Sequence, residues 1–325
     1  MCTLEVSAAG RNASAFLRTR NLIGLSYSAN NLHSSYRQCL HCNPLRIPVK
    51  LAYASYESLK ENEQNAQPPI MIMHGLFGSK SNWNSLSKVI HEKTKRKVIA
   101  VDARNHGDSP HTSDMSYKDM AEDIVHLMHD LGFEKALLVG HSMGGSAMMY
   151  TALHYPHNVE KLVVVDMSPI SASPNLLQMT TIFEAMRSVN VDGSPNLSKA
   201  RQMVNKQFAK FIKPLALRQF LASNLVEVDS GKYKWRVNLP VLEQAFSTQI
   251  AVFPNVGTKV YRGPTLFIGG GNSDYIQLKD HDAIKMLFQR AEFHYINGAN
   301  HWVHADNPSE FVAVLTNFVN RPLPS

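Results

Sequence analysis

Short runs of apolar residues alternate with amphipathic stretches along most of the chain from Val49 onward. The runs are bounded by turn-forming residues and are rich in Val and Ile, which is typical of strands buried in a sheet. Their alternation with helical stretches predicts an α/β fold with a mostly parallel central sheet flanked by helices. The predicted strands are residues 50–56, 70–73, 98–101, 136–139, 162–165, 265–268 and 292–296.

Two helices are well marked between and after these strands. Residues 117–131 carry apolar side chains at the spacing of a helix face packed on a sheet. Residues 308–319 form a predicted terminal helix, with Asn307 as its N-cap and Pro308 at its first position.

The alternation stops after Ile170 and resumes near Val260. The stretch between them lacks strands of the same kind and instead contains four predicted helices, at 176–189, 197–212, 215–226 and 241–252. Helices inserted into such a series are expected to cover the carboxyl edge of the sheet, where ligands bind in open α/β folds. We therefore predict a helical cap at 171–255, inserted into a core formed by 47–170 and 256–325.

The charge is unevenly distributed. The chain has 33 Lys+Arg, 26 Asp+Glu and a net charge of +7, and through Lys50 it has six basic residues against the single acid Glu5. This segment is also rich in Ser and Asn, a composition typical of a mitochondrial transit peptide. We predict that residues 1–46 are a transit segment and that the protein is mitochondrial, in the matrix. A tail without a targeting role stays an alternative, because Glu5 departs from the pattern.

Composition also argues against several classes of protein. Three Cys cannot staple 325 residues, so a disulfide scaffold is excluded. No run approaches the roughly 18 apolar residues of a membrane span. Beyond residue 50 no basic stripe is interleaved with aromatic residues, so we expect no nucleic-acid partner. No cofactor is expected, because the glycine run at 269–271 does not open a dinucleotide-binding helix.

Two groups of residues carry side chains that can bind metals, but neither has the spacing of a metal site. Cys39 and Cys42 form one C-x-x-C pair without a second pair. His106, Asp108 and His111 lack the tight spacing of a hydrolytic metal site, so we expect them to brace a loop. The sequence therefore predicts no metal.

The string VGHSMGG at 139–145 carries the clearest chemical signal. It is a G-x-S-x-G motif between a predicted strand and a predicted helix. In that context glycines permit a sharp turn that presents a serine hydroxyl at the top of the sheet. We predict that Ser142 is a nucleophile.

A serine hydroxyl needs a base, and in proteins with this turn the order along the chain is serine, acid, histidine. His301 follows the last predicted strand and precedes the terminal helix, where a loop can place it over Ser142. His304 is its rival, but it lies closer to the helix and is expected to be structural. His74 and His141 are likewise expected to be packing residues.

Two aspartates qualify as the acid that orients the base. Asp166 ends one predicted strand and Asp274 follows the next one. Either could place a carboxylate behind His301. The residues alone leave the choice open.

An oxyanion hole is expected from two backbone N–H groups, one after the nucleophile and one after an early strand. Here these belong to Met143 and to Leu76, the latter within HGLFG at 74–78.

These motifs together resemble the α/β-hydrolase superfamily across residues 49–320. The strings that carry the resemblance are HGLFGSKSNW (74–83), DARNHGDSPH (102–111), VGHSMGG (139–145), WRVNLP (235–240) and NHWVHADNP (300–308). Within the superfamily, the strings are similar to those of a branch that contains lipases and bacterial esterases. It implies a mitochondrial serine hydrolase that cleaves ester-linked lipid such as diacylglycerol, and it favours Asp166 over Asp274. Association with a mitochondrial 2-oxoacid dehydrogenase complex and peripheral membrane contact are further implications of the resemblance.

Three alternatives remain at this stage. Acyl transfer and thioester hydrolysis need the same triad and differ in acceptor or leaving group. A non-catalytic binding protein with the same fold is expected to have lost a triad member, and none is lost here.

Apolar residues of the cap either line an acyl pocket or pack the cap onto the sheet: Leu176, Leu177, Met179, Ile182, Phe183, Met186, Phe208, Phe211, Phe220 and Phe246.

Overall fold

The computed structural model describes residues 47–58, 67–171 and 178–323. The predicted transit segment, Cys39 and Cys42, and the predicted cap residues Leu176 and Leu177 lie outside these ranges. No helix in the described ranges has the length and apolar character needed to cross a membrane.

A seven-stranded sheet forms the centre of the described structure, in the order β1-β3-β2-β4-β5-β8-β9. Strand β1 pairs antiparallel with β3, and the other neighbours pair parallel. The strands of this sheet are β1 (Tyr53–Tyr56), β2 (Ile70–Met73), β3 (Val98–Val101), β4 (Ala136–His141), β5 (Val159–Val165), β8 (Tyr261–Gly270) and β9 (Phe288–Ile296). The predicted fold class is confirmed.

The apolar runs are uninterrupted because both faces of the sheet are buried. Alternate residues of one strand enter different cores: Met71 packs in one cluster, whereas Ile70 and Ile72 pack in the other. The observed β5, β8 and β9 are longer than predicted. Their outer residues are less uniformly apolar, so the apolar pattern marked only the central part of each strand. Strand β1 is shorter than predicted and begins at Tyr53.

Helices flank the sheet, and both well-marked predictions are found. The helices outside the cap region are α1 (Asn84–Thr94), α2 (Tyr117–Asp130), α3 (Met143–His154), α8 (His281–Leu287), α9 (Val303–Asp306) and α10 (Pro308–Asn320). The Asn307 side chain accepts a hydrogen bond from the Glu310 N–H, as expected of an N-cap. The sequence interpretation did not identify α1, α8 and α9, because α1 has few apolar positions and α8 and α9 have only seven and four residues.

The stretch between β5 and β8 contains most of the expected helices but also a β-hairpin. Its elements are α4 (Met179–Arg187), α5 (Leu197–Phe208), α6 (Leu215–Ala222), β6 (Leu225–Asp229), β7 (Lys232–Trp235) and α7 (Leu239–Ala245), followed by a π-helical turn (Phe246–Ile250). We call residues 178–255 the cap.

The prediction of one helix over 215–226 was wrong, because the chain leaves the helix after Ala222 and enters the hairpin. Leu225 is buried while the following residues are increasingly exposed, and Gly231 occupies the hairpin turn at φ 73°. A left-handed position in the turn favours glycine, so Gly231 allows the two strands to pair. The predicted helix over 241–252 likewise becomes π-helical from Phe246.

The cap is attached to the loop that follows β3. The Asn238 N–H donates to the Asn105 carbonyl at 2.9 Å, and the Asn238 side chain donates to the Asn105 side-chain oxygen. The Arg236 guanidinium pairs with the Asp108 carboxylate. These contacts hold the cap near the carboxyl ends of the strands.

Candidate active site

Ser142 lies at a sharp turn between β4 and α3. Its backbone has φ 53° and ψ −120°, a strained conformation for a residue with a side chain. A Cβ on Gly140 would lie 2.2 Å from the Gly144 carbonyl oxygen, and one on Gly144 would lie 2.5 Å from the Met73 carbonyl oxygen. The two glycines of the motif are therefore required by close backbone approach.

His301 lies on the loop between β9 and α9, beside Ser142. Its Nε2 is 3.0 Å from Ser142 Oγ, and its Nδ1 is 2.7 Å from Asp166 Oδ2. A proton on Nδ1, donated to the carboxylate, leaves the Nε2 lone pair facing the serine hydroxyl. This arrangement allows the imidazole to accept the serine proton.

Asp166 follows β5 directly and has no exposed surface. Its Oδ1 accepts a hydrogen bond from the Gly270 N–H at 3.0 Å, and its Oδ2 accepts one from Ser273 Oγ. The structure thus brings Asp166 together with His301 and Ser142. Asp274, the alternative acid, is half-buried and lines the same cavity, but the carboxylate at His301 Nδ1 is that of Asp166.

Two aromatic side chains contact the His301 ring. Tyr275 stacks on it with ring centroids 3.8 Å apart and planes inclined by 15°, and Trp302 approaches edge-on at 5.7 Å. Ser273 and Tyr275 belong to one loop after β8. The sequence interpretation missed both, although their adjacency to Asp274 placed them within reach of the site.

Leu76 and Met143, the predicted oxyanion residues, both line the cavity at Ser142. Met143 is the first residue of α3, and the first N–H groups of a helix have no partner within it. An anion beside Ser142 would also face the positive end of that helix.

The loop carrying Leu76 is held by two buried histidines. The Phe77 N–H donates to His106 Nε2 at 3.2 Å, and His74 Nε2 accepts from the Ala103 N–H at 3.1 Å. Burial lowers the pKa of His106 to about 3 and also lowers the pKa of His74. Both rings are therefore neutral acceptors at neutral pH, and Phe77 is held at φ 62°.

The cap also contacts this loop. The Asn224 side-chain amide, buried near the end of α6, donates to the Phe77 carbonyl at 2.8 Å. The Phe77 ring meets Phe183 of α4 edge-on at 5.3 Å. Asn224 was not singled out from the sequence, because nothing in a lone Asn after a helix indicates a contact 147 residues away.

His106, Asp108 and His111 all have protein partners. The ring nitrogens of His106 contact Phe77 and Arg104, and the Asp108 carboxylate pairs with Lys80 and Arg236. The hydrogen bond from Lys80 lowers the pKa of Asp108. His111 contacts the Arg236 carbonyl. The side chains therefore brace the loop after β3 and connect it to the cap.

Two further histidines lie behind the base. His141 Nε2 is 2.9 Å from the His301 carbonyl oxygen, so this residue supports the base loop in addition to packing. His304 stacks on Trp83 at 4.4 Å, and burial lowers its pKa to about 3. His304 is thus placed as a packed, neutral residue next to His141.

A cavity of about 610 Å³ opens at Ser142. This volume is within the range of small-molecule sites. The predicted cap residues that line it are Met179, Ile182, Phe220 and Phe246. Three others, Phe183, Met186 and Phe208, are buried in the apolar core, whereas Phe211 is exposed.

Comparison with known proteins identifies the family. A family model described as alpha/beta hydrolase fold matches residues 68–308. The chain belongs to the alpha/beta hydrolase fold family. The sharp turn at Ser142 between β4 and α3 and the mostly parallel sheet agree with that assignment.

Curated relatives and solved structures extend this result. The chain is 45% identical over 252 residues to mouse sn-1-specific diacylglycerol lipase ABHD11, covering 78% of this chain and 81% of the relative. It is 32% identical over 260 residues to esterase YbfF of Escherichia coli, covering 80% and 96%. A solved marine microorganism esterase has a TM-score of 0.74 at 32% identity, covering 83% of this chain and 99% of that structure.

Proposed function

We propose that this alpha/beta hydrolase cleaves carboxylic esters of lipids, with diacylglycerol as the substrate class, through Ser142, His301 and Asp166. Carboxylic ester hydrolysis follows from the family and from relatives named as lipases and esterases. The observation that carries the proposed mechanism is the hydrogen-bonded series from Ser142 through His301 to Asp166, in which Ser142 and His301 line a largely apolar cavity.

The proposed reaction begins with attack of Ser142 Oγ on the ester carbonyl carbon, while His301 Nε2 accepts the hydroxyl proton. The buried Asp166 carboxylate stabilises the imidazolium that forms. The N–H groups of Leu76 and Met143 donate to the oxyanion of the tetrahedral intermediate. Its collapse breaks the ester C–O bond, and His301 returns the proton to the departing alcohol. Water activated by the same histidine then releases the fatty acid from Ser142.

The lining of the cavity supports a lipid substrate. Met179, Ile182, Leu217, Phe220 and Phe246 supply apolar surface next to Ser142. Burial of an acyl chain there would be favoured by about 0.8 kcal/mol for each methylene removed from water. The choice of diacylglycerol as the substrate class is further supported by the mouse relative, which is named as a diacylglycerol lipase.

A hydrolysis profile tests the proposal. We expect release of fatty acid from diacylglycerols and from medium-chain p-nitrophenyl esters, and none with Ser142→Ala. Hydrolysis of short-chain esters alone would refute the lipid substrate. Absence of turnover on every ester would favour a non-catalytic binding protein. Transfer of the acyl group to an added alcohol in preference to water would favour an acyltransferase, and selective cleavage of acyl thioesters a thioesterase.

Mitochondrial matrix localisation is proposed from the composition of residues 1–46. In isolated mitochondria the mature N-terminus, read by mass spectrometry, is expected between about residues 20 and 50. An intact Met1 there would contradict a cleaved transit segment. Association with a 2-oxoacid dehydrogenase complex is proposed from family resemblance alone, and co-purification from the matrix tests it.

A further inference from the structure

Large apolar side chains are exposed at one edge of the cap. Residues 206–216, which we call the basic cap edge, comprise the end of α5, the connection to α6 and the first residues of α6. Phe211 is 56% exposed and Leu215 is 50% exposed, whereas Ile212 between them is 5% exposed. The chain thus buries one apolar side chain here and presents two to solvent.

The turn that presents these side chains is firmly held. The Phe211 N–H donates to the Phe208 carbonyl at 3.0 Å. The Arg218 guanidinium donates to the carbonyls of Ile212 and Lys213 and to the Asn205 side chain. A rigid turn loses little conformational entropy when it binds a surface.

The charge of the same region has one sign. From Gly193 to Val226 the sequence contains six basic residues and no Asp or Glu. Of these, Lys206, Lys210 and Lys213 are exposed beside the apolar side chains. An anionic partner would therefore meet no repelling carboxylate within this part of the chain.

The basic cap edge is also part of the rim of the cavity. Pro214 is exposed and lines the cavity, and the half-buried Leu217 and Phe220 on α6 line it as well. A surface that contacts the edge would therefore lie next to the opening that leads to Ser142.

We propose that the basic cap edge docks the enzyme on an anionic phospholipid bilayer. Phe211 and Leu215 enter the boundary between headgroups and acyl chains, and the three lysines bind phosphates. Lysine is depleted in protein–protein interfaces, which favours a bilayer over a protein partner. The inference rests on the proposed lipid substrate, because docking here lets a lipid pass from the bilayer to the cavity without crossing water.

Co-sedimentation of the full chain with vesicles tests the proposal. We expect wild type to bind phosphatidylcholine vesicles containing phosphatidylglycerol more tightly than phosphatidylcholine alone. The triple variant Lys206→Gln, Lys210→Gln, Lys213→Gln should bind the anionic vesicles about 100-fold more weakly, since each lysine near such a surface contributes about fivefold. Phe211→Ser should weaken binding about tenfold, because the variant loses a phenyl group that the bilayer would partly bury.

Matched variants elsewhere on the surface separate this site from general charge. Lys93→Gln, Lys95→Gln, Lys285→Gln removes the same charge, and Met286→Ser removes an apolar side chain that is 74% exposed. Both should bind like wild type. Equal binding by the two lysine variants would overturn the proposal, because the charge would then act without regard to position.

Activity separates this proposal from the proposed function. The lysine variant at residues 206–213 should cleave a dissolved short-chain p-nitrophenyl ester at the wild-type rate and vesicle-embedded diacylglycerol at least tenfold more slowly. Wild type that binds vesicles through this edge but does not cleave diacylglycerol would refute the substrate and retain the docking surface. Cleavage of diacylglycerol without any dependence on these residues would refute the docking surface alone.

Discussion

Replacing Asp166 with Asn tests the assignment of the acid. In the folded protein Asp166 Oδ1 faces the Gly270 N–H, whereas Oδ2 faces His301 Nδ1 at 2.7 Å. In the variant the amide oxygen must occupy the Oδ1 position, since the backbone N–H is a donor. The amide NH₂ then points at His301 Nδ1. It donates there, so the ring proton moves to Nε2.

That proton would face Ser142 Oγ, where the mechanism requires a lone pair 3.0 Å away. The base would be in the wrong tautomer, a defect that lowers kcat by about 10⁴ in serine hydrolases. This corresponds to about 5.4 kcal/mol, at 1.36 kcal/mol for each factor of ten. Asn has nearly the same shape as Asp, so the fold should be preserved.

The assay is kcat for a soluble p-nitrophenyl ester, with Ser142→Ala as the lower limit and circular dichroism as the check on folding. The matched variant is Asp274→Asn, which changes an aspartate that lines the cavity from the loop after β8. It should change kcat less than about fivefold, because it does not alter the His301 tautomer. A folded Asp166→Asn enzyme with more than a tenth of wild-type kcat would refute the reasoning, as would a loss of about 10³ in Asp274→Asn.

Three further predictions concern the support of the site and its pH dependence. Asn224→Ala removes the donor to the Phe77 carbonyl, and an unpaired buried carbonyl costs about 1–3 kcal/mol. The variant should therefore lower kcat about tenfold, with a smaller change in KM. An unchanged kcat would show that Asn224 does not position the loop that carries Leu76 and Phe77. Tyr275→Leu should lower kcat about tenfold while Tyr275→Phe stays near wild type, because the stacked ring orients His301; equal rates for both would contradict it. Burial lowers the pKa of His304 to about 3, so below about pH 6.5 the unfolded chain binds a proton that the folded chain does not, and stability falls as the pH falls toward 3. His304→Phe should therefore lose about 1 kcal/mol less stability than wild type between pH 7 and pH 5.5 in urea titrations, and equal losses would count against it.

The sheet could be predicted closely because its strands are buried on both faces. Burial of Ile70, Met71 and Ile72 in succession leaves an uninterrupted apolar run that no surface element shares. The hairpin in the cap could not be predicted in the same way. Val226 and Val228 alternate with Glu227 and Asp229, but the strand is only five residues long and closely follows the helical stretch at 215–222, so the helical pattern was extended through it.

The site was predictable where chemistry imposes a motif. Ser142 needs glycines on both sides for steric reasons, and His301 needs a loop after the last strand, so local sequence located both. The acid is a different case, because two aspartates follow strands that are adjacent in the sheet. The residues alone do not separate Asp166 from Asp274, and in the structure it is Asp166 that lies 2.7 Å from His301 Nδ1.

The supporting residues carry no local signal. Ser273, Tyr275 and Asn224 act through contacts that span from 26 to 147 positions in the chain. Such contacts depend on how the cap and the strand ends meet. The pattern of hydrophobic residues along the chain does not encode that arrangement.

The central claim is that Ser142 is a nucleophile activated by His301. Its most direct measurement is labelling with a fluorophosphonate, followed by mass spectrometry of the peptides. We predict a single phosphonylated residue, Ser142, in wild type, and no label in Ser142→Ala or in heat-unfolded protein. Failure of the folded wild type to label, or equal labelling of Ser142→Ala, would contradict the account.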